Sequence, residues 1–187
     1  MANILIINLP FAGHTNPTLP LTEALVKRGH NVFYINAEDY RDKIEHTGAK
    51  FIPYSNYPEK PTEQQKKKLC FKAAYDTAMS LKQQFDLLIY EMFFYPGIKI
   101  AQNLGIPCVR QFSQPAWNEK TYSDSTWLYK LSGLLIDIQV MGKKNKKYMG
   151  LTDTSLSKAI IYDKPQLNVV YVPQMFQSCI KHKRSIC

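Results

Sequence analysis

Short, unbroken apolar runs separated by amphipathic stretches make up the first two thirds of the chain. Residues 4–8 (Ile-Leu-Ile-Ile-Asn) form one such run, bounded by Pro10 and Gly13, and read as a strand buried on both faces of a parallel sheet. Asn16 then offers an N-cap and Pro17 suits a first helical position. Leu21, Ala24, Leu25 and Arg28 follow at helical spacing, with Gly29 in the C′ position, which predicts a helix over 17–28. Residues 32–35 predict a second strand, 38–46 a second helix stopped near Gly48, and 51–54 a third strand that runs into a Pro- and Asn-containing loop. The stretch 62–84 is long and polar, with Leu69, Ala73, Ala74, Ala78 and Leu81 on one face, the pattern of an amphipathic crossover helix. A fourth strand over 86–90, a helix over 96–104 closed by Gly105, and a fifth strand over 106–112 repeat the unit. The alternation predicts an α/β fold built on an open, doubly wound parallel sheet with right-handed crossovers. Beyond Trp117 the periodicity predicts a helix near 126–141, a basic loop, a short helix near 155–160 and a last strand near 167–172. Residues 178–187 carry neither period and read as an irregular basic tail.

At 187 residues with 45% hydrophobic positions, the chain can bury one substantial core, which excludes disorder as a description of the whole. No apolar run approaches the ~18 residues of a membrane span. The amino terminus lacks a basic region ahead of its apolar run and a cleavage pattern behind it, so the expected location is the cytoplasm. Cys70, Cys108, Cys179 and Cys187 lie far apart and read as reduced thiols with no metal site. The net charge of +9 changes this picture little, because it is local: residues 60–72, 143–147 and 181–184 carry net +4, +4 and +3, more than the whole excess. None of these stretches interleaves aromatic and basic residues as a base-stacking surface does, so no nucleic-acid partner is expected. The apolar segment from Trp127 to Ile136 followed by lysines suits a membrane surface in outline, but a solvated face is the expected reading.

Ligands of open α/β sheets bind outside the carboxyl ends of the strands, so the residues just after each strand carry the candidate chemistry. The first of these loops has one glycine, Gly13, and lacks both Gly-x-Gly-x-x-Gly and Gly-x-x-x-x-Gly-Lys-Ser/Thr, hence any evident phosphate cradle. It offers instead His14, expected at a helix N-terminus whose dipole opposes protonation of the ring. Glu91, at the end of the fourth strand, is the candidate orienter of that imidazole. Phe11, Phe93, Phe94, Phe112 and Trp117 supply flat apolar surface on the same rim, suited to a hydrophobic ligand. Taken alone, His14 fits either a structural hydrogen-bonding residue or a general base, Glu91 a solvated carboxylate or its partner, and the aromatics either core or ligand contacts. A hydrolase acting on water through His14 and Glu91 is a weaker third reading, since no Gly-x-Ser-x-Gly elbow is present.

The segment Gly13-His14-Thr15-Asn16-Pro17-Thr18-Leu19-Pro20-Leu21 resembles the amino-terminal signature of the macrolide-type UDP-glycosyltransferases. Asp86 to Glu91, Ala101 to Pro107 and Leu167 to Gln177 follow in the order that family shows, so the resemblance covers about residues 1–177. It implies a GT-B fold, of which 1–177 would be the single Rossmann-like, acceptor-binding domain. It also implies inverting transfer of a sugar from a UDP-sugar co-substrate to a hydroxyl of a small lipophilic acceptor, with no cofactor and no metal. The family's base histidine falls on His14, and the aspartate that partners it in relatives is matched by Glu91, longer by one methylene. The expected substrate-binding residues are Phe11, Gly13, Asn16, Phe93, Phe94, Phe112, Ser113 and Trp117. The family carries a second, nucleotide-sugar domain with no counterpart in these residues, so the expectation is an acceptor-binding half, inactive alone and served by a separate donor domain. A stand-alone small-molecule binding module is the alternative.

Overall fold

The structure, a computed structural model, describes residues 1–117 and 119–177. Its sheet has six parallel strands: β1 (Asn3–Ile7), β2 (Asn31–Asn36), β3 (Lys50–Pro53), β4 (Leu87–Glu91), β5 (Cys108–Phe112) and β6 (Leu167–Val170). Their order is β3-β2-β1-β4-β5-β6, so the doubly wound parallel sheet predicted above is present and its winding reverses between β1 and β4. The continuous apolar run of β1 has a plain cause. Leu5 and Ile7 pack into one core with Phe71, Ala74 and Ile100, while Ile4 and Ile6 pack into a second core with Tyr34 and Ile44 on the opposite face. Burying each such side chain is worth ~1.5–3 kcal/mol.

Nine α-helical segments occur among the described residues: α1 (Ala12–Thr15), α2 (Leu19–Lys27), α3 (Arg41–Glu45), α4 (Glu63–Ser80), α5 (Pro96–Leu104), α6 (Glu119–Ser123), α7 (Trp127–Val140), α8 (Gly142–Met149) and α9 (Leu156–Tyr162). Several differ from the sequence expectation. The helix predicted over 17–28 is preceded by helical backbone from Ala12 onward, joined to it by a 3₁₀ turn at Asn16–Thr18, so Asn16 is not an N-cap. Gly29 does close α2, at φ 81°. Helix α4 starts on a capping box, in which the Thr62 hydroxyl accepts from the Gln65 N–H and the Gln65 side chain accepts from the Thr62 N–H. It stops at Ser80, four residues early, because Leu81 is extended, and its buried face runs through Cys70, Phe71, Ala74 and Tyr75 rather than Leu69, which is exposed. The stretch 143–147 is helical rather than a loop: Met149 and Lys146 turn inward, and Lys143, Lys144 and Lys147 face solvent. Cys70 and Cys108 are free and buried. The basic tail 178–187, with Cys179 and Cys187, lies outside the described residues.

Candidate functional site

The point where the winding of a doubly wound sheet reverses leaves a crevice at the carboxyl ends of its two central strands. Here those strands are β1 and β4, and the residues just beyond and at their ends are His14 and Glu91. Glu91 is fully buried. Its Oε2 accepts the Phe93 N–H at 2.8 Å, and its Oε1 accepts the Ser113 hydroxyl at 3.4 Å and lies 3.1 Å from His14 Nδ1. The Nδ1–Oε1 pair is within ion-pair reach but not aligned as a hydrogen bond, and Nδ1 is itself buried without another partner. The ring as a whole keeps a quarter of its surface exposed, so its remaining edge faces outward. Phe11 and Phe93 flank it at ring-centroid distances of 5.7 and 5.4 Å, the latter edge-on.

His14 sits at a helix N-terminus, though not the one expected: it is the third residue of α1, in the first turn of helical backbone that starts at Ala12 rather than at Pro17. What fixes it is a buried polar network that the sequence reading missed. The Asn8 side-chain amide donates to the His14 carbonyl at 3.3 Å, to Thr18 Oγ1 at 3.0 Å and to the Tyr34 hydroxyl at 2.6 Å. Its oxygen accepts from Gln111 Nε2 at 2.7 Å, and Gln111 Oε1 in turn accepts the Tyr171 hydroxyl at 2.7 Å. The Tyr54 hydroxyl donates to the Asn8 carbonyl, and Asn36 Nδ2 donates to Thr15 Oγ1 at 2.9 Å. Burial pushes the Tyr34, Tyr54 and Tyr171 hydroxyls well above the ordinary tyrosine range, so all three stay protonated donors. Register explains the convergence: Ile7 pairs with Ile35 and with Tyr90, and Glu91 pairs with Gln111, so Asn36, Asn8, Glu91 and Gln111 stand in one row across four strands. Each is at most 1% exposed. The signal was present in the sequence for three of the four, since Asn8, Asn36 and Glu91 each stand at or just after the end of an apolar run, whereas Gln111 follows Arg110 inside a mixed one.

The other expected site residues divide. Ser113 reaches Glu91, whereas Gly13 and Asn16 are simply exposed. Phe94 and Phe112 lie in the core rather than on the rim: Phe94 packs on Phe71 at 5.6 Å, and Phe112 lies under the Arg110 guanidinium at 5.1 Å. Trp117 packs on Tyr129 at 5.3 Å and lines an open groove of 280 Å³ that neither His14 nor Glu91 lines. Among the described residues no three His, Cys, Asp or Glu side chains gather as a metal-ligand set.

Known proteins resemble this chain over most of its length. No protein-family profile matches it. The NDP-glycosyltransferase YjiC of Bacillus licheniformis is 28% identical over 193 residues, covering 94% of this chain and 47% of the relative. YjiC of Bacillus subtilis is 26% identical over 195 residues, covering 97% and 48%. Among solved structures, the calicheamicin glycosyltransferase CalG4 superposes with a TM-score of 0.71 at 21% identity, over 95% of this chain and 49% of its own. The homologues are thus NDP-glycosyltransferases and macrolide-type GT-B enzymes, the sheet is that of a GT-B half, and the chain spans about half the length of the curated relatives it matches.

Proposed function

We propose that this chain, a homologue of NDP-glycosyltransferases, forms the acceptor side of a glycosyl-transfer site in which His14 is the general base. The observation that carries the reading is the 3.1 Å approach of His14 Nδ1 to the wholly buried Glu91 carboxylate at the reversal of the sheet. A carboxylate facing Nδ1 favours the tautomer protonated there and leaves Nε2 free to accept a proton. A hydroxyl of a small lipophilic acceptor, seated against Phe11 and Phe93, gives its proton to Nε2 while its oxygen bonds to the anomeric carbon of a UDP-sugar. The bond from that carbon to the diphosphate oxygen breaks, and its electron pair leaves with the nucleotide. Attack from the side opposite the leaving group inverts the anomeric centre, and Glu91 stabilises the imidazolium formed. A nucleotide-sugar half of the kind the resemblance implies supplies the donor contacts, and these 187 residues alone do not turn over.

Calorimetric titration of the chain with UDP-glucose and with a panel of flavonoids and macrolides tests the reading. Acceptor binding without donor binding is the expected result, and tight UDP-glucose binding overturns it. Supplying the donor half of a relative should then yield product only while His14 is intact. Acceptor binding by the unaltered chain, unaffected by His14→Ala, with no product from the unaltered chain under any supplied donor half, would mark a stand-alone binding module instead. Efficient turnover by the 187 residues alone would refute their dependence on a donor half.

A further inference from the structure

Helix α7 is turned inside out. At 100° per residue, Trp127, Leu128, Leu131, Leu135 and Ile138 fall within an arc of about 100°. All five are exposed, Trp127 by 70% and Leu128 by 60%; Leu134 is exposed beside them, and Tyr129 and Ile136 are exposed elsewhere on this 14-residue helix. The inner side carries the helix's one carboxylate: Asp137 is buried, accepting from the Tyr95 hydroxyl at 2.8 Å and from the Lys146 ammonium. A surface helix ordinarily does the reverse, and a contiguous apolar patch of this kind marks a binding surface.

Helix α8 adds an independent signal. Lys143, Lys144 and Lys147 share its exposed face and have no ion-pair partner among the described residues, unlike Lys146, which is spent on Asp137. Between residues 127 and 150 the chain holds five lysines and a single acid, the buried Asp137, so nothing there offsets the positive field. From these two observations we infer that α7 and α8 form a docking surface for anionic lipid bilayers. The apolar face of α7 enters the boundary of the acyl region, Trp127 sits at headgroup level, and the α8 lysines meet the phosphates. The helix lies in the plane of the membrane, since no described helix is long and apolar enough to cross one. A second copy of this chain is the poorer occupant, because a twofold contact through this patch brings two uncompensated lysine clusters together. The surface is independent of the reaction proposed for His14.

Flotation with unilamellar vesicles tests it. The chain should float with a one-to-one mixture of phosphatidylcholine and phosphatidylglycerol, far less with phosphatidylcholine alone, and less as salt rises. The variant K143Q/K144Q/K147Q should lose about 100-fold in partitioning, and L131E/L135E should abolish flotation, with circular dichroism checking that each variant remains folded. Failure to float with anionic vesicles, equal flotation with neutral ones, or variants that bind as well as the unaltered chain would overturn the inference. A dimer in sedimentation that L131E/L135E dissolves, with no vesicle binding, overturns it too and gives the face to a second copy.

Discussion

Replacing Gly97 by alanine should destabilise this chain, although the same change in most helices does the opposite. An alanine normally gains about 1 kcal/mol over glycine in a helix interior. A Cβ at position 97 would stand 2.3 Å from Tyr90 Cγ, 2.5 Å from Cδ2 and 2.7 Å from Cβ, each about 1 Å inside ordinary contact. These atoms are the root of a ring that is 1% exposed on the central strand β4, so the ring cannot swing aside and helix α5 must lift from the sheet. Overpacking of this kind costs ~1–3 kcal/mol and sometimes more. With three contacts on immobile atoms the upper figure applies, and less the helix-propensity gain it leaves a net loss of about 2 kcal/mol and a fall in Tm of about 4–8 °C. Gly133 in α7 is the matched control, because its nearest neighbour, Ser157 Oγ, would be 3.7 Å from a new Cβ. Gly133→Ala should therefore gain about 0.5–1 kcal/mol. Urea and thermal denaturation of both variants read the two signs directly. A Gly97→Ala chain as stable as the parent, or more so, would mean that α5 does not rest on Tyr90 as described.

Further outcomes follow from the site and its supports. Asn8→Ala strands the Gln111 amide without its acceptor and opens a cavity under His14, so urea titration should register a loss of about 3 kcal/mol. In a transfer assay with a supplied donor half, His14→Ala should lower the rate by ~10²–10⁴ while calorimetry still detects the acceptor. Glu91→Gln keeps an acceptor for the Phe93 N–H but removes the charge facing Nδ1, so it too should lose rate while remaining folded. Burial pushes the Cys70 thiol up to about 12 and raises the Tyr34, Tyr90, Tyr95 and Tyr171 hydroxyls. The unfolded chain therefore releases these protons first, and the stability they contribute is full below about pH 8.5 and lost as pH rises toward 12 and beyond. Tm measured across that window should fall steadily, and a flat profile would contradict the burial of these groups.

The sheet was readable from sequence because strands covered on both faces leave continuous apolar runs, as at β1 and β4. His14 and Glu91 were readable because each follows or ends such a run. Side-chain direction was less accessible. Phe94 and Phe112 stand at the same strand ends as Phe93 and Ser113, yet turn into the core, a matter of pleat and packing that proximity to an edge does not reveal. On α4, Ala73, Ala74 and Ala78 lie on the buried face as predicted, but Leu69 is exposed and Cys70, Phe71 and Tyr75 complete that face, a choice the alanine spacing alone does not make. At 143–147 the lysines hide a helix whose inward face is only Lys146 and Met149. Asn16 looked like a cap because its residue type suits one, but Thr15 had already committed the preceding turn by donating its hydroxyl to the Leu9 carbonyl at 3.0 Å.

The polar row from Asn36 to Gln111 also bears on how portable this pair of catalytic candidates is. Asn8 and Gln111 bond directly although β4 lies between their strands, so the main chain that carries the imidazole is braced by residues more than 100 positions apart in the chain. A designer who grafted only His14 and Glu91 onto another parallel sheet would transfer the reactive groups without their frame. The smallest transplantable unit is the pair together with Asn8, Thr18, Tyr34 and Gln111, which requires three strands in the right order and a tyrosine on a fourth. A lineage drifting in sequence meets the same constraint, since any one of these polar residues can change freely only if its partners change with it.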